Sequence, residues 1–101
     1  MRDPQEISTM DELRVEIDAL DAALIALLAD RTRLVARAAE IKQGAGLPAR
    51  IPARVEDVVA KVVARASAAG VDPGLAEGLW RAMIEHFIAQ EERVLGKGDG
   101  A

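Results

Sequence analysis

Residues 10–42 read MDELRVEIDALDAALIALLADRTRLVARAAEIK, a stretch without a glycine or a proline. Two rows run through it at intervals of seven: Leu13, Leu20, Leu27, Leu34 and Ile41, and beside them Met10, Ile17, Leu24, Arg31 and Ala38. Such rows mark a long amphipathic helix with a coiled-coil-like seam. At 1.5 Å per residue, about 32 helical residues extend roughly 48 Å, whereas a compact domain of about 100 residues is roughly 35 Å across. One chain cannot cover both ends of such a helix. An intertwined homodimer is therefore expected, its long helices packed along each other and each chain completing the other's core.

Outward from this helix, Ser8 or Thr9 is placed to cap it, with Glu12 in capping-box position. Gly44, Gly46 and Pro48 are expected to end it, leaving QGAGLPARIP, residues 43–52, as a loop of about ten residues, long enough to act as a lid. Pro52 suits the first turn of a second helix. Val55, Val58, Val59, Val62, Val63 and Ala66 step by threes and fours, a helical period despite the β-branched content, and Gly70 stops it. Asp72 and Pro73 form a cap and first-turn pair for a third helix. Its expected inner face is Leu75, Leu79, Trp80, Met83, Ile84, Phe87, Ile88, Glu91 and Val94 or Leu95. No strand pattern or internal repeat occurs. The fold class is all-α: three helices in a single domain over residues 1–101, with loosely ordered ends at 1–9 and 96–101.

The chain has 101 residues, of which 50% are hydrophobic and 30% charged, which places it among folded proteins rather than disordered ones. A net charge of −4 argues against a nucleic-acid partner, since phosphate neutralisation needs a basic face. No run approaches the roughly 18 apolar residues of a membrane span. MRDPQEISTM lacks the apolar core of a signal peptide, so a cytoplasmic location is the expectation. The absence of cysteine excludes disulfides and thiolate chemistry.

Three cations and one acid depart from the apolar rows. Arg31 occupies a core-facing place, and an unpaired buried charge costs several kcal/mol. Lys42, eleven residues on, lies about 20° around the helix and roughly 16 Å along it, on the same stripe. Arg14 sits at the far end of the helix and reaches Lys42 only from an antiparallel partner. In the third helix, Glu91 falls in the row Ile84, Ile88, Leu95. Each has an ordinary reading as well: a snorkelling Arg31, a Lys42 that complements the helix dipole, a Glu91 exposed by fraying or neutralising an internal cation, and a surface Arg54. Arg33 and Arg37 fall on the outward face with Asp30 and Glu40 as solvated pairs, and His86 on a flank. Taken together, the inward-facing charges favour a preorganised anion site. Without a nucleophile, metal cluster or glycine-rich phosphate loop, its chemistry would be positioning and electrostatics, with no cofactor and no metal.

LRVEIDALDAALIALLADRTRLVARAAEIK, residues 13–42, resembles the opening helix of the all-helical chorismate mutase family, with its LR…ID.LD..L..LL..R pattern followed by a lysine. GLWRAMIEHFIAQEERV, residues 78–94, is similar to that family's last helix. The resemblance covers residues 10–95, and the spacing of Arg14, Arg31 and Lys42 is its most specific part. It implies a small-molecule dianion bound in a pocket shared by two chains. Arg14 of one chain and Arg31 of the other would clamp the two carboxylates, and Lys42 would hydrogen-bond the ether oxygen and a carboxylate as the C–O bond breaks. Arg54 matches a pocket arginine, and Ile51, Val55 and Phe87 fall among the substrate-contacting positions. Glu91 aligns with the family's second ether-oxygen contact; a one-residue slip would put Gln90 there. A carboxylate donates a hydrogen bond only when protonated, so activity is expected to decline as pH rises, and Glu91→Gln to flatten that dependence.

The resemblance has two departures. Mutases of this family carry acids near Ile51 and Val55 that meet the ring hydroxyl, and here both positions are apolar. The proline-flanked IPARV and the N-terminal segment are more similar to the sibling isochorismate-pyruvate lyases, which make salicylate and pyruvate. Chorismate rearrangement to prephenate is the first reading and isochorismate cleavage the second. A non-catalytic or partner-activated helical dimer is the third.

Overall fold

The computed structural model describes residues 1–96. Among them the chain is all-α, with a 3-10 turn at Pro4–Glu6 followed by α1 (Met10–Ala45), α2 (Pro52–Ala69) and α3 (Pro73–Leu95) and no strand. The end expected to be loose at 96–101 lies, beyond Gly96, outside the described residues. No helix among the described residues is long and apolar enough to cross a membrane.

The chain divides into two compact units, the first Met1–Leu34 and the second beginning at Val35. In the first, local hydrogen bonds start each element. Asp3 accepts from the Gln5 amide at 3.0 Å, and the Thr9 hydroxyl accepts from the Glu12 amide at 3.1 Å, filling a donor that the start of α1 leaves unpaired. Nothing on α1 is buried. Met10, Ile17, Leu20, Leu24, Leu27 and Leu34 are all exposed, Leu34 by 72%. Leu13 alone of the two rows within this unit is half-buried among their apolar members.

The second unit holds the core. Ala49, Val59, Ile84 and Ile88 form one buried cluster, and Val62, Ala66 and Ala76 a second. Trp80 and Val58 pack against both. Burying a side chain of valine or isoleucine size stabilises by about 1.5–3 kcal/mol, so these few residues carry the α2–α3 pairing. Exposed ion pairs border it: Arg81 reaches Glu56 on α2 at 3.0 Å and Glu77 on its own helix at 2.8 Å. These contacts push the Arg81 pKa up, the hydrogen bonding that Arg81 donates to Glu56 contributing most, and they hold the Glu56 carboxyl below its usual range.

Three details of the sequence reading are corrected. Helix α1 does not stop at Lys42 but continues through Gly44 to Ala45, and the connection shrinks to residues 46–51. Gly44 makes no demand on its backbone, whereas Gly46 takes φ 68°, and that left-handed turn is what ends a helix. Leu47 N–H then bonds the Lys42 carbonyl at 2.8 Å and Gly46 N–H the Gln43 carbonyl at 3.3 Å, the Schellman pattern. Gly70, φ 78°, closes α2 in the same way through Val71 and Ala66. Finally, Leu75, Leu79 and Val94 are exposed; the buried row of α3 is Ala76, Ile84, Ile88 and Glu91. The small Ala76 packs against Ala66 and Val62, which leaves the larger leucines on the neighbouring face.

Candidate active site

The last turn of α1 sets Lys42, and its Schellman ending fixes the backbone there. The Lys42 ammonium donates to Glu91 Oε2 at 2.8 Å and to the Ala49 carbonyl at 2.8 Å. Glu91 is the buried charged residue of the described chain, 7% exposed. A carboxylate withdrawn from water this far needs a cation within hydrogen-bonding distance; Lys42, from sequence position 42 to 91, supplies it. No buried side-chain nitrogen or oxygen among the described residues is left without a partner.

Ala49 is the least exposed of the described residues, at 3%. Its methyl group belongs to the cluster of Val59, Ile84 and Ile88, so its carbonyl sits at a fixed point. An ammonium has three N–H donors. Ala49 and Glu91 take two of them, and no third acceptor is found among the described residues. Lys42 also borders a cavity of about 450 Å³ with Gln43, Leu47, Pro48 and Leu95 among others, a lining that includes none of the other sequence-predicted site residues. That volume accommodates a small molecule.

The other sequence-predicted residues are distributed differently. Arg31, half-buried, and Arg14, exposed, belong to the first unit. Arg14 lies 3.8 Å from Asp11, while no carboxylate among the described residues is within ion-pair distance of Arg31. Arg54 is exposed in the first turn of α2 and donates to Asp57 at 2.7 Å. Lys61 first, and Arg54 after it, hold the Asp57 carboxyl below its usual range. Ile51 and Val55 are half-buried, Val55 against the Ala49 cluster. Phe87 is half-buried, edge-on to His86 with ring centroids 5.1 Å apart. Gln90 is exposed and turned to His86, 3.3 Å away, so that of the two neighbours Glu91 is the one that faces Lys42. Arg33 pairs with Asp30, and Arg37 with Glu40 at 2.7 Å, all exposed as their spacing predicts.

Two contributions were missed by sequence reasoning. One is the Ala49 carbonyl, a backbone group that any residue would supply. The other is Arg50, next in the chain, which makes a two-pronged bond to Glu85 on α3 at 2.8 and 2.5 Å. Its only trace in the sequence is a pair of opposite charges 35 residues apart.

Chemically, the arrangement is an ammonium oriented by a buried carboxylate and a main-chain carbonyl. It can stabilise negative charge developing on a ligand oxygen, and it contains no group placed to form a covalent intermediate. The family model described as chorismate mutase type II matches residues 13–92. No curated protein matches the chain. The matched span runs from the first turn of α1 to one residue past Glu91 and includes Lys42. It supports chorismate mutase activity at the level of the family, with the small molecule chorismate as substrate. By fold and by this match, the chain belongs to the type II chorismate mutase family.

Proposed function

We propose that the protein is a chorismate mutase that rearranges chorismate to prephenate, working as a homodimer whose whole chain forms one domain of this type. The observation that carries the reading is Lys42, whose ammonium is aimed by the buried Glu91 carboxylate and the Ala49 carbonyl. In the reaction a C–O bond breaks as a C–C bond forms within one molecule, and negative charge gathers on the ether oxygen. A donor already in place at that oxygen needs no reorganisation; removing one such donor from an enzyme typically costs about 10²–10³ in kcat. Arg31 and Arg14, the latter from the partner chain, hold the two carboxylates and keep the substrate folded, which contributes through proximity. Arg54, Ile51, Val55 and Phe87 line the remainder. The exposed leucines of α1 support the dimer, because rows of this length are covered by a second helix when they are covered at all.

Isochorismate-pyruvate lyase is the second reading, favoured by one observation: Ile51 and Val55 are apolar and half-buried, so neither is suited to meet a ring hydroxyl. A non-catalytic or partner-activated dimer is the third; it gives no account of a buried Glu91 paired with Lys42. Purified protein given chorismate and isochorismate separately discriminates all three. Prephenate from the first substrate supports the mutase. Salicylate with pyruvate from the second, and no prephenate, replaces it with the lyase, and no product from either leaves the third. In the active enzyme, Glu91→Gln keeps an acceptor for Lys42 while removing the buried charge, and is expected to lower kcat; an unchanged kcat would remove Glu91 from the mechanism.

A further inference from the structure

The stretch 43–52 is long enough in sequence to act as a lid, yet the contacts of its loop portion, residues 46–51, are those of a strap. Gly46 and Leu47 are fixed at one end by the ending of α1, and the Ile51 carbonyl at the other accepts from the Arg54 and Val55 amides at 3.0 and 3.1 Å. Between them Ala49 is seated in the α2–α3 core, and Arg50 grips Glu85 with two parallel hydrogen bonds. Forked arginine–carboxylate bonds fix direction as well as distance. The segment is thus pinned to α3 at adjacent residues, once by an apolar plug and once by a charged clamp.

What the pins hold in place is the Ala49 carbonyl, and that carbonyl is one of two acceptors that orient the Lys42 ammonium. A lysine side chain has four rotatable carbon–carbon bonds and a freely turning ammonium. With Glu91 as its one acceptor, the ammonium could swing about a single hydrogen bond. Two acceptors on different elements fix where the third N–H points. Neither Arg50 nor Glu85 is needed near a ligand for this to work, since both act through the main chain between them and Lys42.

We propose that Ala49 and the Arg50–Glu85 clamp are positioning residues for Lys42, the loop serving as a strap that aims the catalytic ammonium. The link to turnover rests on the mutase or lyase reading above, whereas the aiming of Lys42 does not, and the two are tested separately. Arg50→Ala is the variant of choice. Arg50 is exposed at the edge of the fold, so circular dichroism and thermal melting are expected to remain close to those of the parent.

The first readout is the ¹⁵N–¹H correlation of lysine ammonium groups in the ligand-free protein. The chain has only three lysines, Lys42, Lys61 and Lys97, and Lys42→Arg assigns the signal. A protected Lys42 ammonium is expected in the parent, broadened by exchange in Arg50→Ala and restored when Arg50→Glu is combined with Glu85→Arg. The second readout is steady-state kinetics on whichever substrate the parent turns over. A loosened donor is expected to lower kcat by about ten- to a hundredfold, with a smaller effect on KM because the arginines supply most of the carboxylate binding in the reading above. An unchanged Lys42 signal in Arg50→Ala overturns the proposal, as does a lost signal with unchanged kcat. A parent that turns over neither substrate, but whose Lys42 signal responds as described, supports the strap and refutes the enzymatic reading.

Discussion

The two units of this chain treat apolar residues in opposite ways. In the first, Leu20, Leu24, Leu27 and Leu34 lie exposed along a helix without a single buried residue. In the second, smaller side chains such as Val59, Val62, Ala66 and Ala76 are almost withdrawn from water. Hydrophobicity alone therefore does not say what is buried within one chain. The second unit satisfies itself, and it alone encloses a charge, Glu91, with the cation that offsets it. The first unit presents a long apolar stripe that its own short elements do not cover.

The contrast is broken most forcefully at Lys42. Lys42→Ala is expected to lower kcat by about 10²–10³, read by the same product assays that separate mutase from lyase; a change of less than about threefold would take Lys42 out of the mechanism. The same substitution leaves Glu91 buried without its cation, so chemical denaturation is expected to show a loss of about 3–5 kcal/mol. Pairing it with Glu91→Leu should recover most of that loss without recovering activity. This would separate the pair's role in the fold from its role in the reaction.

Next comes a direct comparison of the units. Ile88→Ala cuts into the α2–α3 core and is expected to cost about 2–5 kcal/mol at any protein concentration. Leu24→Ala, in the exposed stripe, is expected to cost about 2 kcal/mol or more when the dimer forms, with a melting temperature that rises with protein concentration. A cost within about 0.5 kcal/mol, independent of concentration, would mean that the stripe stays in water and that the two-chain site does not assemble.

The smallest effect lies at the border of the core. Glu56 and Glu85 are held below their ordinary 4.5, by Arg81 and Arg50 respectively, and Asp57 below its ordinary 3.8, by Lys61 and Arg54. Carboxylates with depressed values in the folded state contribute stability that is complete above their unfolded values and is lost as pH falls through the folded ones. Melting temperature is therefore expected to be level above about pH 5 and to decline in acid, modestly because these groups are solvated and the more weakly as salt is added. Glu85→Gln should remove part of the decline.

How far the sequence alone could reach follows from where each signal resides. Thr9, Asp72 with Pro73, and Gly70 act on their immediate neighbours, and each is legible because capping is local chemistry. The choice between Gly44 and Gly46 as the stop was not legible, since both residues permit the left-handed turn and only one adopts it. Ala76 was passed over for Leu75 and Leu79 because periodicity rewards large side chains, while close approach of two helices rewards a small one. At the site, Lys42 and Glu91 stood out as charges in otherwise apolar rows. Arg31 and Arg14 stood out for the same reason, but both belong to the first unit, apart from the one that holds Lys42 and Glu91. The Ala49 carbonyl left no mark at all, because a main-chain acceptor has no letter of its own.

The left-handed turn at Gly46 has a consequence for anyone altering this protein. Lys42 gives its own carbonyl to close the helix, so the residue whose ammonium pairs with Glu91 is also a component of the stop. A β-branched substitution at Gly46, strained at φ 68°, would unwind the final turn and carry the ammonium away with it. Grafting this lysine onto another scaffold would accordingly require moving the glycine too, four positions downstream, as a single cassette.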